Sequence, residues 1–396
     1  MIRSSGSIFR HFLLLGLTSF GGPVAHIGYL RNAFVSRNKW LSDTEFSNYL
    51  ALCQFLPGPA SSQLGMSIGY HVGGLKGLFA AFLGFTLPSF VLMWLAGVLI
   101  GHIDLSVYSG AISGLKLVAV AVVIQALVGM FNSLCPDDLR KWIAIIAAMV
   151  MMVAGEVWLQ ILVIFLAFVF GYLMGKAPVK STDLAMPKKM QKYISMGSLA
   201  ILFLLFIGLP LLTLFIDHKL LTIAHIMVQA GSLVFGGGHV VLPLLEEGVV
   251  GAGILSQDIF LAGYGLAQAM PGPLFTFGSF VGAASIPNQF GFTAALLACM
   301  MIFLPGMLLL LACLPIWSSM SRNRGMQSAL MMVNAAVVGL LFSAFYDPVL
   351  VASVTSPAHA AMALAAFASL VLLKLPPWLV VLLGGFAGQV IWGGVH

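Results

Sequence analysis

Between Trp158 and Gly175, and again between Leu199 and Ile216, the chain runs 18 residues without a formal charge. At 1.5 Å per residue such a run makes a helix of about 27 Å, close to the thickness of a bilayer's hydrocarbon core. A soluble fold has no place for a series of such runs. Charged residues make up only 8% of the 396, against about 25% in soluble domains. The 18 Lys and Arg and 12 Asp and Glu sit mostly between apolar segments, so the net charge of +6 is not read as a phosphate-binding surface. A soluble enzyme, a nucleic-acid-binding domain and a disulfide scaffold are excluded. The chain reads as an all-α integral membrane protein that crosses the bilayer many times.

The four cysteines, Cys53, Cys135, Cys299 and Cys313, have no CxxC spacing, and the His and carboxylates are scattered. No disulfide, metal site or cofactor is expected. Met1–Arg10 is short and basic, and no small-residue cleavage site follows the first apolar run. It reads as a retained membrane segment. The 43 Gly and 18 Pro point to close helix packing and broken helices near a transport path.

The two ends of the chain repeat each other. Phe20-Gly21-Gly22-Pro23, His26 and Gln54-Phe55-Leu56-Pro57-Gly58-Pro59 recur as Phe235-Gly236-Gly237-Gly238-His239 and Gln268-Ala269-Met270-Pro271-Gly272-Pro273. The offset is 215 at Phe20 and 214 at Gln54 and Pro57; Leu87-Pro88 against Leu304-Pro305 and Lys116 against Asn334 continue the register. Three parts follow: an N-terminal repeat (1–175), a cytoplasmic loop with one connecting transmembrane helix (176–219), and a C-terminal repeat (220–396). Apolar segments fall near 8–35, 43–74, 77–101, 107–131, 142–155 and 157–175, then near 220–245, 258–284, 291–317, 327–346, 358–373 and 376–394. Six per half plus one connecting helix turns the second half upside down, the inverted-topology repeat of secondary transporters.

Basic residues orient the chain, since cytoplasmic loops collect Lys and Arg. If all thirteen segments cross once, the N-terminal side holds 13 Lys and Arg and the far side 4, with Lys116 left out as intramembrane. If the first two segments of each half are instead re-entrant hairpins, folded at Gly21-Gly22 and at Pro57-Gly58-Pro59, the split becomes 16 against 1. The hairpin version is favoured, with the N-terminus cytoplasmic.

Pro57-Gly58-Pro59 and Pro271-Gly272-Pro273 are the sharpest motifs. Each Pro removes an N–H donor and clashes with the preceding turn, so PGP breaks a helix. Irregular backbone is tolerated at membrane depth only inside protein or beside a wet cavity. A helix restarting at Pro59 presents free N–H groups and a positive dipole end, with Ser61 and Ser62 following it, and Thr276 in the other half. N–H donors, hydroxyls and partial positive charge are what a tetrahedral oxyanion needs. The bland alternative is a packing kink. Gly21, Gly22 and Pro23, with Gly236 and Gly237, allow close backbone approach to a ligand, though glycine pairs also serve helix crossings. His26 and His239 could be proton sites or interhelical hydrogen-bond partners. Lys116 stands inside the apolar stretch Ala111–Met130: either it faces an anion as a counter-charge, with Asn334 opposite in the repeat, or it snorkels to the interface. No intramembrane carboxylate is apparent to neutralise it, which favours the anion. Gln54 and Gln268, one turn before PGP, can orient a ligand or a hairpin, and Glu45 and Asp258 read as caps on half-helix starts.

The FGGP-x-x-HI stretch (Phe20–Ile27) and the Q-x-x-PGP stretch from Gln54 to Gly65, repeated as FGGGH and QAMPGP, resemble the chromate ion transporter family in its long-chain, two-domain form, over about residues 8–394. The resemblance implies a transporter of the bacterial inner membrane that exports chromate, a divalent tetrahedral oxyanion similar to sulfate, with two homologous halves of opposite orientation. Gly238 stands where the first half has Pro23, so the two hairpins need not match.

The expectation is a secondary transporter for a divalent oxyanion, chromate first, with alternating access around a midplane site formed by the residues above. Its partners are the oxyanion, the bilayer and, by expectation, a coupling proton and a second copy in a homodimer, with no nucleic acid. No Walker motif occurs. The alternatives are a transporter or channel for another anion such as sulfate, and, far behind, a membrane enzyme; the close acid pairs Asp137-Asp138 and Glu246-Glu247 lie in loops.

Overall fold

A computed structural model describes residues 3–100, 107–153, 157–175, 188–234, 241–286, 291–317 and 323–393. Every regular element among them is helical. The first half holds α1 (Ser5–Thr18), α2 (Gly22–Arg31), α3 (Asp43–Phe55), α4 (Ala60–Ile100), α5 (Ser109–Leu134), α6 (Asp138–Val153) and α7 (Val157–Met174). The connecting helix α8 (Lys188–Phe215) follows, and then α9 (Lys219–Leu233), α10 (Val241–Val249), α11 (Gln257–Ala267), α12 (Phe277–Ser285), α13 (Gly291–Cys313), α14 (Arg324–Ala344), α15 (Pro357–Val371) and α16 (Pro377–Trp392). Five helices among the described residues are long and apolar enough to cross a bilayer: Ala60–Ile100, Ser109–Leu134, Tyr193–Phe215, Gly291–Ile316 and Arg324–Ser353. The outward faces are apolar, as in Phe203 and Leu204 of α8, two-thirds exposed. This is a multi-pass membrane protein.

The four apolar segments expected as hairpins are each two helices. Segment 8–35 stops after Thr18, and Gly21 and Gly22 take φ of 99° and 76°, which a Cβ disfavours. Segment 43–74 breaks at Leu56–Pro59, segment 220–245 after Leu233, and segment 258–284 after Ala267. Conversely, no loop separates 43–74 from 77–101; α4 runs on, with only Gly74 (φ 59°, ψ −151°) turning it. With α4 counted as two pieces, each half presents the same order of eight units. The matched units start alike: Ser42 caps α3 and Ser256 caps α11 through their side chains. At α3 the capping box is complete, with the Glu45 carboxylate accepting from the Ser42 N–H at 2.8 Å.

The first helices fold back on themselves. The Arg3 guanidinium lies 5.1 Å from the Trp40 ring, and His11 meets the same ring edge-on at 5.0 Å. The Arg3 N–H donates to the Val72 carbonyl at 2.8 Å. The start of α1, the turn after α2 and the end of the first piece of α4 therefore share one end of the molecule, so α1–α2 and α3–α4 are two hairpins. In the second half Lys219 Nζ, at the start of α9, donates to the Ser285 carbonyl at the end of α12, 2.9 Å away.

The halves then interlock. α5 packs on α11, α15 and α16, while α14 packs on α6 and α7. Each half thus lends one long helix to the last two helices of the other. Gln389 of α16 clasps the start of α5, donating from Nε2 to the Val107 carbonyl (2.9 Å) and accepting from the Ala111 N–H (3.0 Å). That satisfies a first-turn donor that α5 cannot pair internally. The helix pairs α1–α4 and α9–α13 also touch backbone to backbone: a Cβ on Gly16 or Gly231 would strike the carbonyl oxygen of Phe85 or Ile302.

Candidate anion site where the broken helices cross

Both PGP loops cross into the opposite half. The Gly58 N–H donates to the Val234 carbonyl at 2.6 Å, and the Gly272 N–H donates to the Ser19 carbonyl at 2.8 Å. Val234 and Ser19 stand at the same offset, 215, just before the two Gly-rich motifs. Each loop is thereby tied to the break that ends the other half's first helix. Gly58 (φ 117°) and Gly272 (φ 96°) hold backbone conformations that side chains rarely adopt. A Cβ on Gly58 would lie 3.1 Å from Gly306 Cα, and one on Gly272 2.8 Å from Ser89 Oγ and 3.2 Å from the Phe85 carbonyl oxygen. Ser89 and Gly306 follow Pro88 and Pro305, the prolines inside α4 and α13. The two contacts are the same contact made twice.

The two crossings differ in chemistry. At the Gly58 crossing, Gln63 is fully buried and its Nε2 donates to the carbonyls of Pro57 (2.9 Å) and Gly306 (3.0 Å). The rings of Phe303 and Phe275 stand 5.7 Å apart in the same half as Gly306, and Phe303 meets Phe82 at 5.2 Å. At the Gly272 crossing the side chains are polar. His26, 1% exposed, reaches the Ser19 carbonyl from Nε2 (3.2 Å) and Ser61 Oγ from Nδ1 (3.4 Å). Because a carbonyl only accepts, Nε2 carries the hydrogen and the Ser61 hydroxyl donates to Nδ1. Ser89 donates to the Thr86 carbonyl at 3.1 Å. Among the buried polar atoms without a partner in the described residues, four belong to these segments of the first half: Ser19 Oγ, Ser62 Oγ, Gln63 Oε1 and Thr86 Oγ1. Three of them are hydroxyls able to donate. Their repeat positions are Val234, Thr276, Phe277 and Phe303, and Thr276 is satisfied by the Pro273 carbonyl at 2.8 Å. An unpaired buried hydroxyl costs about 1–3 kcal/mol. Ser19 and Ser62 stand next to helix breaks, and Thr86 lies three residues before Ser89 in α4.

The expected site residues separate accordingly. Pro59 precedes α4 as anticipated, its carbonyl accepting from the Gln63 N–H at 2.9 Å. Gly58, Pro59, Ser61, Ser62, Pro271, Gly272, Pro273 and Thr276 are buried around the crossings, with Pro57 partly so. The second half restarts less directly, through a 3₁₀ turn, Leu274–Thr276. Gly21 and Gly22 form the break itself, with Pro23 at the second position of α2. His26 takes its hydrogen-bonding role, joining Ser19 and Ser61. Gln268 is hydrogen-bonded to Tyr264, and its Nε2, like Asn334 Oδ1, is buried without a partner. Gly236, Gly237 and His239 lie outside the described residues.

Three expectations are corrected. Gln54 lies exposed on α3, whereas the amide nitrogen of Gln268, its repeat position, is buried. Lys116 is not a free counter-charge: its Nζ sits 2.6 Å from Asp258 Oδ1. The carboxylate comes from the first turn of α11, which packs on α5 across the repeat. Asp258 is accordingly an ion-pair partner, while Ser256 is the cap. Ser19, Gln63, Thr86 and Ser89 were missed by sequence reasoning. The Leu87-Pro88 and Leu304-Pro305 pair, already in register, was the signal that pointed at Thr86 and Ser89.

Comparison with known proteins agrees with this architecture. The chromate transporter family profile matches twice, over residues 6–172 and 221–389. The chain is 27% identical to an uncharacterized transporter of Methanocaldococcus jannaschii, covering 85% of this chain and 83% of the relative. It is 26% identical to the chromate transport protein of Pseudomonas aeruginosa (86% and 80% covered) and 28% identical to a probable chromate transport protein of Synechococcus elongatus (97% and 94% covered). No solved structure matches. Members of this family are ion transporters and not enzymes. With the profile matched once in each half, and the two halves tied by one reciprocal pair of hydrogen bonds, this chain belongs to the chromate transporter family.

Proposed function

We propose that the protein is a secondary transporter that moves a divalent oxyanion, chromate first, out of the cytoplasm by alternating access around the crossing of its broken helices. The observation that carries the reading is the reciprocal tie of Gly58 to Val234 and Gly272 to Ser19, beside unpaired buried hydroxyls on Ser19, Ser62 and Thr86. A dianion sheds its hydration only against donors that replace it. Hydroxyls and the first N–H groups of α4 provide them without a buried countercharge. Lys116 is already neutralised by Asp258, so the anion is met by dipoles.

The halves are read as inverted repeats, with the N-terminus on the cytoplasmic side of a bacterial inner membrane. The crossing is packed shut around buried Gly58 and Gly272, which fits an occluded state; rocking of one half against the other would open it to either side. The inside-negative potential favours loss of a dianion by about 4.6 kcal/mol per 100 mV. A proton moving inward is the coupling ion in this reading. Sulfate has the same shape and charge as chromate and is the second candidate, since nothing in these hydroxyls distinguishes them. The test is reconstitution into proteoliposomes and counterflow of labelled chromate, sulfate and molybdate. A carrier gives saturable, mutually competing exchange. Flux that does not saturate would mean a channel, and exchange confined to small organic acids would overturn the oxyanion reading.

A further inference from the structure

A cavity of about 490 Å³ opens away from the crossings, among the end of α6, the start of α7, the end of α10 and the end of α14. Its polar lining is acidic: Glu246, Glu247 and Asp347, with Gln160, Ser343 and Tyr346, and no basic side chain among the described residues. α6 contributes only Met151 and Met152. Gln160 is 5% exposed, and its Nε2 donates to Glu247 Oε2 at 2.8 Å. Its other atom, Oε1, is buried without a partner. That oxygen needs a donor, and ionised carboxylates around it can only accept. A proton bound on a neighbouring carboxyl would provide one.

We propose that this cavity is a proton-binding site of the second half, with Glu246 the group that takes the proton, and that its loading is coupled to anion movement. The coupling part rests on the transport reading above; the proton site does not. Glu246 is half-buried; burial first, then the charges of Asp347 and Glu247, push its carboxyl up to about 7. Three acids crowded in one cavity cannot all ionise cheaply, and Glu246 is less exposed than Asp347. Among the described residues no set of three or more acidic, His or Cys side chains is placed to hold a metal ion. A proton needs no convergent ligand set. The repeat position of Glu246 is Arg31, which is ion-paired with Asp43 at 2.7 Å. The first half therefore has no matching acid at that position. The step is simple: water outside gives a proton to the Glu246 carboxylate, and the resulting O–H donates within the cavity.

The experiment uses the full chain, purified in detergent and reconstituted, as wild type, E246Q and D347N. The first readout is melting temperature between pH 5 and 8.5, which needs no transport. A carboxyl whose folded pKa is raised stabilises the fold at low pH and loses that contribution as pH rises through about 7. Wild type should lose melting temperature from pH 5 upward and level off above about 7. E246Q should lack this fall, and D347N should move it to lower pH. Counterflow of labelled chromate is the second readout: its pH inflection should vanish in E246Q and shift in D347N. If exchange is absent at every pH but the melting inflection behaves as stated, the proton site stands and the transport reading falls. An inflection unchanged in E246Q overturns the proton site, as does one unmoved in D347N should E246Q fail to fold. Stabilisation of wild type but not E246Q by Na⁺, Mg²⁺ or Ca²⁺ would also overturn it, in favour of a metal.

Discussion

Replacing Gly272 by alanine adds one methyl group where the loop of the second half passes α4 of the first. Two costs follow. The backbone at φ 96° lies where an L side chain is strained, worth about 1–2 kcal/mol. The new Cβ would stand 2.8 Å from Ser89 Oγ and 3.2 Å from the Phe85 carbonyl oxygen; overpacking of a tight interior adds about 1–3 kcal/mol. Gly272→Ala should therefore destabilise by about 2–5 kcal/mol. The hydroxyl contact can be removed separately. Ser89→Ala alone deletes a side-chain bond to the Thr86 carbonyl, worth about 0.5–1.5 kcal/mol. In the double variant the nearest clashing atom is gone while the backbone strain and the Phe85 carbonyl remain. A double-mutant cycle should then show favourable coupling of about 1 kcal/mol, outside the scatter expected of independent sites. The assay is reversible unfolding in mixed micelles, followed by circular dichroism. Additivity within about 0.3 kcal/mol, or a cost of Gly272→Ala below about 0.5 kcal/mol, would refute the reciprocal crossing of loop and helix.

Three further outcomes follow from the same geometry. Thr86→Val removes a buried hydroxyl that has no partner; stability should hold or rise by about 1 kcal/mol, while chromate exchange falls tenfold or more. Lys116→Ala leaves Asp258, 67% exposed, to be solvated; the loss should stay within about 1 kcal/mol and exchange within about twofold, whereas abolished exchange would restore the countercharge role. Ser42→Ala breaks the capping box of α3 and should cost about 1 kcal/mol in thermal unfolding. Because the Ser42 N–H bond holds the Glu45 carboxyl below its ordinary value, that contribution is present above the ordinary carboxylate range and is lost as acid protonates Glu45.

What the sequence reveals here is local chemistry and its repetition. PGP reads as a break because proline cannot donate, and the paired offset exposed two halves before any coordinates. The hairpins were expected from charge, since Arg31, Arg37 and Lys39 would otherwise lie on the far side. The site was half legible. Ser61, Ser62 and Thr276 follow PGP directly, but Ser19 and Thr86 reach the crossing from other helices. The exchange of α5 and α14 between halves left no local mark, because apolar helix faces look alike whichever half they meet. Lys116 misled for that reason: its carboxylate is 142 residues away and heads a helix of the other repeat. Gly74 was passed over because a single glycine inside a long apolar run is usually tolerated.

Counterflow reads transport through the crossing directly. Proteoliposomes holding unlabelled chromate are placed in a trace of labelled chromate, and the label inside is followed for wild type and Thr86→Val. A carrier working through the crossing transiently accumulates label above its equilibrium level, with a saturable rate that Thr86→Val cuts at least tenfold while the protein stays folded. Label that only equilibrates, or an overshoot that survives unchanged in Thr86→Val, would contradict a carrier that works there.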